Sequence, residues 1–230
     1  MDETPNFPFP TDLIPSALID LPFPSPGPFY PSHIDILAFN FTNTFGLIDI
    51  LQDLCLESLH LQREIQQTMG NILGDSMYIC DYTNPILHRL LSHPRQENSS
   101  SVAVMAEMIR LPAILYLIAI RQSFGIYPTR VTSQVRKLSV LLMTSERSGA
   151  DSKMWEDHGL GLIELWIITV DGILSDEKNK AAWFAKSLHP AMRRMSVATY
   201  GDLEDRLRRF SWVDEIHGTL LRDFRNKLTD

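Results

Sequence analysis

A chain of 230 residues with an apolar fraction of 44% is long enough for one sizeable core, or for one domain with a tail. Its net charge of −7 is unevenly spread: eight acids precede the first basic residue, Arg63, and from there all 21 basic residues meet 20 of the 28 acids. An acidic front and a balanced body argue against a chain that grips nucleic acid by itself, two cysteines (Cys55, Cys80) allow at most one bridge and fit a reducing compartment, and no secretory leader or bilayer-length apolar run stands out.

Residues 1–32 carry nine of the fourteen prolines, with Phe7, Phe9, Phe23, Phe29 and Tyr30 between them. Proline at that density excludes a helix, so the segment is expected to be an extended, acidic, disordered arm. Residues 33–230 read as a single helical domain. From Gly46 to about Gly70, Leu47, Ile50, Leu51, Leu54, Leu61 and Ile65 recur at the spacing of one helical face. A second helix is predicted over Asn84–Ser92, ending before Pro94, and a third over Val102–Phe124, where Pro112 either kinks one helix or starts a second. Its longest apolar run, Leu111–Ile120, lies between Arg110 and Arg121. After the break at Gly125–Pro128, Val131–Met143 resumes the pattern, and Ser148–Ser152 is the next loop.

Leu160–Leu174 is apolar on nearly every side, which places it in the middle of the protein rather than on its surface. Glu164 and Asp171 are its only ionisable groups, and their seven-residue spacing puts them on one stripe with Asp157 before and Ser175 after. Buried carboxylates need partners, and Arg110 and Arg121 are the expected ones, giving a buried ion-pair network of Glu164, Asp171, Arg110 and Arg121. Ser175 or Asp176 can cap a helix containing Trp183, Phe184 and Leu188. Thr199 with Asp202 signals the start of another, with Leu203, Leu207 and Phe210 inward. Trp212–Leu228 is predicted to bury Val213, Ile216, Leu220 and Phe224. With no alternating apolar-polar run that demands a strand, the fold class is all-α, a multi-helix orthogonal or bundle-like domain behind an extended arm.

The chemistry-bearing residues support little catalysis. His60 and Glu64 share a helix face, and His88 and His93 flank a helix end, but no HExxH or paired CxxC spacing gives a zinc site. Asp49 and Asp53 lack the adjacent-aspartate pattern that holds magnesium against a diphosphate. No GxSxG elbow or glycine-rich phosphate loop occurs. Arg206, Arg208 and Arg209, with Arg193 and Arg194 nearby, could bind phosphate, yet Asp202, Glu204 and Asp205 stand four residues ahead of the first three and neutralise them. No catalytic residue, metal or cofactor is assigned. Trp155, Trp166, Trp183 and Trp212 all fall in the last 76 residues and either pack the core or line an effector pocket.

Three blocks, Leu54–Gln62 (LCLESLHLQ), Arg110–Ile120 (RLPAILYLIAI) followed by VRKLSVLL, and Leu165–Leu188 (LWIITVDG, then AAWFAKSL) followed by LEDRLRRFSWVDEI, resemble the regulatory domain of fungal zinc-cluster transcription factors. The resemblance spans roughly residues 45–225. It implies an all-helical regulatory domain that works through protein partners, such as a transcription factor or co-regulator, in the nucleus or shuttling between nucleus and cytoplasm, in the control of metabolic gene clusters. The six-cysteine DNA-reading module of such regulators cannot be built from two cysteines, so direct nucleic-acid binding is not expected, nor is a membrane. The competing readings are a helical enzyme or small-molecule binder of a biosynthetic cluster, and an oligomerising scaffold such as a homodimer.

Overall fold

The computed structural model describes residues 45–93, 101–127, 131–148, 155, 160–175 and 178–229. The proline-rich arm, Asp157, Asp176 and most of the Ser148–Ser152 loop lie outside them. Among the described residues all regular structure is helical, in eight α-helices. These are α1 (Phe45–Gln67), α2 (Ser76–Ser92), α3 (Ser101–Ser123), α4 (Val131–Ser148), α5 (Gly161–Ile173), α6 (Lys178–Arg194), α7 (Tyr200–Leu207) and α8 (Thr219–Thr229). A 3₁₀ turn, Asn71–Gly74, joins α1 to α2, and a π-helical segment, Asp214–Gly218, leads into α8.

Helices α3 and α5 form the centre. Helix α3 packs on α1, α2, α4 and α5, while α5 also packs on α4, α6, α7 and α8. Every side chain of α5 from Leu162 to Ile173 is buried, as its all-round apolar composition predicts. Helix α3 is apolar and long enough over Ala103–Ser123 to cross a bilayer by composition, but 89% of that stretch is buried inside the protein, where it serves as a core helix. Gly172 permits the close approach of α6 and α8 to α5: a Cβ there would stand 3.2 Å from the Phe224 ring and 3.3 Å from the Phe184 Cβ.

Helices α2 and α3 each carry a proline inside them. Helix α2 starts at Ser76 rather than Asn84, because Asp75 caps it by accepting from the Met77 and Tyr78 N–H groups. Pro85 sits inside that helix on its exposed side, and α3 runs unbroken through Pro112. In α2 the burial of the opposite face, and in α3 the burial of Pro112 together with its neighbours on every side, outweighs the lost hydrogen bond. The predicted capping box at Thr199 is present, with the Asp202 N–H donating to Thr199 Oγ1 at 3.1 Å and the Thr199 N–H to the Asp202 carboxylate at 2.8 Å. In the last helix, Leu221 rather than Leu220 takes the buried position. The π segment inserts a residue per turn and so advances the inward face by one position.

Candidate functional site

The polar groups of the core converge where α1 and α3 meet the π segment. Ser58 sits there because α1 turns its Leu51, Leu54, Leu61 and Ile65 stripe inward and carries Ser58 with it. Its hydroxyl donates to the Leu54 carbonyl at 2.6 Å and accepts from the Tyr116 hydroxyl at 2.8 Å. Ser211, buried ahead of the π segment, lies 2.8 Å away through its own Oγ, and its carbonyl accepts from Trp166 Nε1 at 3.1 Å. Burial pushes the Tyr116 phenol well above its ordinary value.

His217 completes this cluster. Its ring stacks on Tyr116, with centroids 4.3 Å apart and planes at 6°, and lies 5.1 Å from the Trp212 ring. Nδ1 lies 3.1 Å from the Val213 nitrogen and 3.2 Å from the Val213 carbonyl oxygen, so it bonds the Val213 backbone as acceptor in one tautomer of the neutral ring and as donor in the other. Nε2 and the nearby Trp212 Nε1 are buried without a hydrogen-bond partner among the described residues. Burial holds the His217 pKa down to about 3, so the ring is neutral at physiological pH.

Beside Ser58 a recess opens between α1, α2 and α3, lined by Leu54, Glu57, Leu61, Tyr78, Tyr82 and Leu117 among others. Its enclosed volume is about 10 Å³, room for about one water molecule and not for a larger group without side-chain movement. Glu57 is half-buried at its edge, and burial, together with the Asp53 charge, raises its pKa to about 7. Across from it the Tyr78 and Tyr82 rings lie 4.7 Å apart, and His60 reaches within 5.3 Å of Tyr82. The Tyr78 hydroxyl is sealed from solvent with no hydrogen-bond partner among the described residues. Both phenols are pushed up, chiefly by burial. The hydroxyl chain is engaged with itself and with a backbone carbonyl: Ser58 donates to Leu54, and His217 bonds the Val213 backbone rather than either serine, so within this cluster neither serine is set against a base.

Comparison of the chain with protein-family models, with curated proteins and with solved structures finds no match. The site is read from its geometry alone.

The expected ion-pair network is corrected in its partners. Glu164 pairs with Arg194 at the end of α6. Arg110 is buried but turns to its own helix, holding Glu107 bidentately at 2.7 and 2.8 Å and donating to the Leu90 carbonyl at 3.1 Å. Arg121 donates to Thr83 Oγ1 at 3.1 Å and to Asn84. Arg110 is taken by Glu107 one turn back on its own helix, and Arg121 by the polar groups of α2 packed beside it, so neither reaches α5. Burial works against the Glu107 charge, but the hydrogen bonds from Arg110 and Lys137 overcome it and hold the carboxyl down to about 2. Asp171 is wholly buried on the same stripe as Glu164.

None of the four tryptophans belongs to the recess between α1, α2 and α3. Trp166 packs against Phe210 and Tyr116, and Trp183 edges onto Phe184. Trp155 is buried and accepts the Leu160 N–H at its carbonyl. Asp53 pairs with Arg89, Arg208 binds Glu204, Asp205 and Asp214, and no group of three His, Cys, Asp or Glu among the described residues could hold a metal ion.

A double-mutant cycle separates the two pairings of Glu164. Combining Glu164→Gln with Arg194→Met is expected to show about 1–3 kcal/mol of coupling in denaturant unfolding, and Glu164→Gln with Arg110→Met to be additive within about 0.5 kcal/mol. Coupling to Arg110 as large as that to Arg194 would reject the assignment.

Proposed function

We propose that this chain is a transcription-regulatory domain without its own zinc-cluster reader, acting through a protein partner in the nucleus, in the control of a fungal metabolic gene cluster. The observation that carries the reading is the packing of the three resembling blocks. Leu54–Gln62 lies in α1, Arg110–Ile120 in α3 and Leu165–Leu188 across α5 and α6; α1 packs on α3, α3 on α5, and α5 on α6. Segments distant in sequence thus build one core, as blocks that jointly define a domain must. The polar cluster of Ser58, Tyr116, Ser211 and His217 lies inside that core and ties α1 and α3 to the closing π segment.

The test is a tethered reporter. The full chain fused to an unrelated DNA-binding domain should change reporter output relative to that DNA-binding domain alone, while the purified chain should show no sequence-specific duplex binding at physiological salt. Unchanged output from a stably expressed nuclear fusion, or tight specific binding by the chain alone, would overturn the reading. The second reading, a helical enzyme or small-molecule binder, draws on the recess, where the raised Glu57 carboxyl and the unsatisfied Tyr78 hydroxyl meet. Saturable binding of a metabolite that is lost in Glu57→Gln would favour it.

A further inference from the structure

The arginine pair at the end of α6 belongs to a pattern that occurs three times. Two basic residues, one intervening residue, a serine and an apolar residue follow one another in Arg136-Lys137-Leu138-Ser139-Val140, in Arg193-Arg194-Met195-Ser196-Val197 and in Arg208-Arg209-Phe210-Ser211-Trp212. A serine placed just after paired cations suits a protein kinase whose substrate groove is lined with carboxylates, which bind guanidinium groups through paired, charge-assisted hydrogen bonds.

The fold separates the three serines. Ser139 is buried in the middle of α4 and donates to the Val135 carbonyl at 2.8 Å. Ser211 is buried in the polar cluster beside Ser58. Ser196 alone is exposed, in the turn between α6 and α7. It is the left-handed residue that closes α6, with φ of 54°, while its own N–H bonds the Arg193 carbonyl at 3.1 Å and the Val197 N–H bonds the Met192 carbonyl at 2.8 Å. Glycine or asparagine is the usual residue in such a helix ending, so a serine there carries backbone strain.

We propose that Ser196 is a phosphorylation site for an arginine-directed serine kinase. The Ser196 Oγ attacks the γ-phosphorus of a nucleoside triphosphate; the new Oγ–P bond forms as the bond from phosphorus to the β-phosphate oxygen breaks, the hydroxyl proton passes to the kinase's base, and the nucleoside diphosphate leaves. The product places a phosphate close to Arg193, which is exposed, and two residues from Arg194, which holds Glu164 on the buried helix α5. The phosphate competes with Glu164 for Arg194 and so connects a surface modification to the acidic stripe of the core.

The test incubates the native full chain with ATP and the catalytic subunit of an arginine-directed kinase and maps the modified residues by mass spectrometry. Synthetic peptides carrying each of the three sequences serve as unfolded references. All three peptides should be substrates, whereas the native chain should be modified at Ser196 and not at Ser139 or Ser211. Incorporation should fall about tenfold or more in Arg193→Ala, which removes the cation pair, and vanish from this site in Ser196→Asn, which tolerates the left-handed conformation, and in Ser196→Gly as a second folded control. A native chain left unmodified at Ser196 while its peptide is modified, equal modification of the buried serines, or a Ser196 peptide that is no substrate would each overturn the proposal.

Discussion

Replacing His217 by alanine is expected to destabilise the chain by about 2–4 kcal/mol, enough to remove a large part of the stability of a domain this size. The ring is wholly buried, it stacks on Tyr116 at 4.3 Å, and its Nδ1 bonds the Val213 backbone at the start of the π segment. Alanine leaves both a cavity and an orphaned backbone group, and each has its own cost. The partnerless Nε2 pulls the other way, because the wild-type ring already buries a polar atom that alanine would not. His217→Phe retains the stacking and removes that atom while still losing the bond to Val213, so it should lie between wild type and alanine. Denaturant midpoints for the three proteins order them; phenylalanine as damaging as alanine would mean that the hydrogen bond to Val213, not the packing, carries the effect.

The same substitution changes the acid limb of stability. With a folded pKa of about 3 against an ordinary value of 6.5, His217 takes up its proton in the unfolded chain before the folded one. Folding therefore weakens as pH falls from about 6.5 towards 3, and His217→Phe should flatten that interval. Glu107 acts over a lower range. Its folded value of about 2 lies below the ordinary 4.5, so its contribution is present above 4.5 and is lost as pH falls towards 2. The variant should retain this second loss.

What could be read from the residues was the burial of elements; what could not was the choice among polar partners. The all-round apolar composition of Leu160–Leu174 was enough to place α5 in the centre, because no surface position tolerates that much unrelieved apolar area. Charge in the sequence could not decide which cation met Glu164: Arg110 and Arg121 stand beside a long apolar run, but Arg194, thirty residues beyond Glu164, is brought to it by the α5–α6 packing. The Glu107–Arg110 pair obeyed the three-residue helical spacing and was legible by that rule, whereas it had been passed over for a long-range pairing. Ser58 and His217 gave no sequence signal at all. Ser58 follows an ordinary inward stripe, and His217 is turned into the core by a π segment whose i to i+5 bonding no 3.6-residue pattern anticipates. The tryptophans were legible as apolar mass, whereas the recess between α1, α2 and α3 is lined mainly by tyrosines and aliphatic side chains that gave no such signal.

Glu57→Gln is expected to stabilise the chain at alkaline pH and to leave it nearly unchanged in acid, the opposite pH sense to His217. Among the described residues Glu57 finds no hydrogen bond or ion pair to favour its charge; burial, reinforced by Asp53 one helical turn earlier, raises its pKa from an ordinary 4.5 to about 7. Below 4.5 both the folded and unfolded chains hold the proton and the group costs nothing. Between 4.5 and 7 the unfolded chain ionises while the folded chain does not, so folding loses stability as pH rises, and above 7 the loss is complete. Because the group is only half-buried, solvent screening trims the effect to about 1–3 kcal/mol. Glutamine keeps the shape and has no charge to desolvate. Urea unfolding at pH 4.5 and at pH 8 reads the difference directly: a stabilisation confined to the higher pH supports the account, and an equal gain at both would place the cause in packing around Tyr78 and Tyr82 instead of in ionisation. The consequence reaches the recess itself. Near neutral pH the carboxyl at its edge is divided between a hydrogen-bond donor and an anion, so the chemistry presented beside the unsatisfied Tyr78 hydroxyl changes within the physiological range.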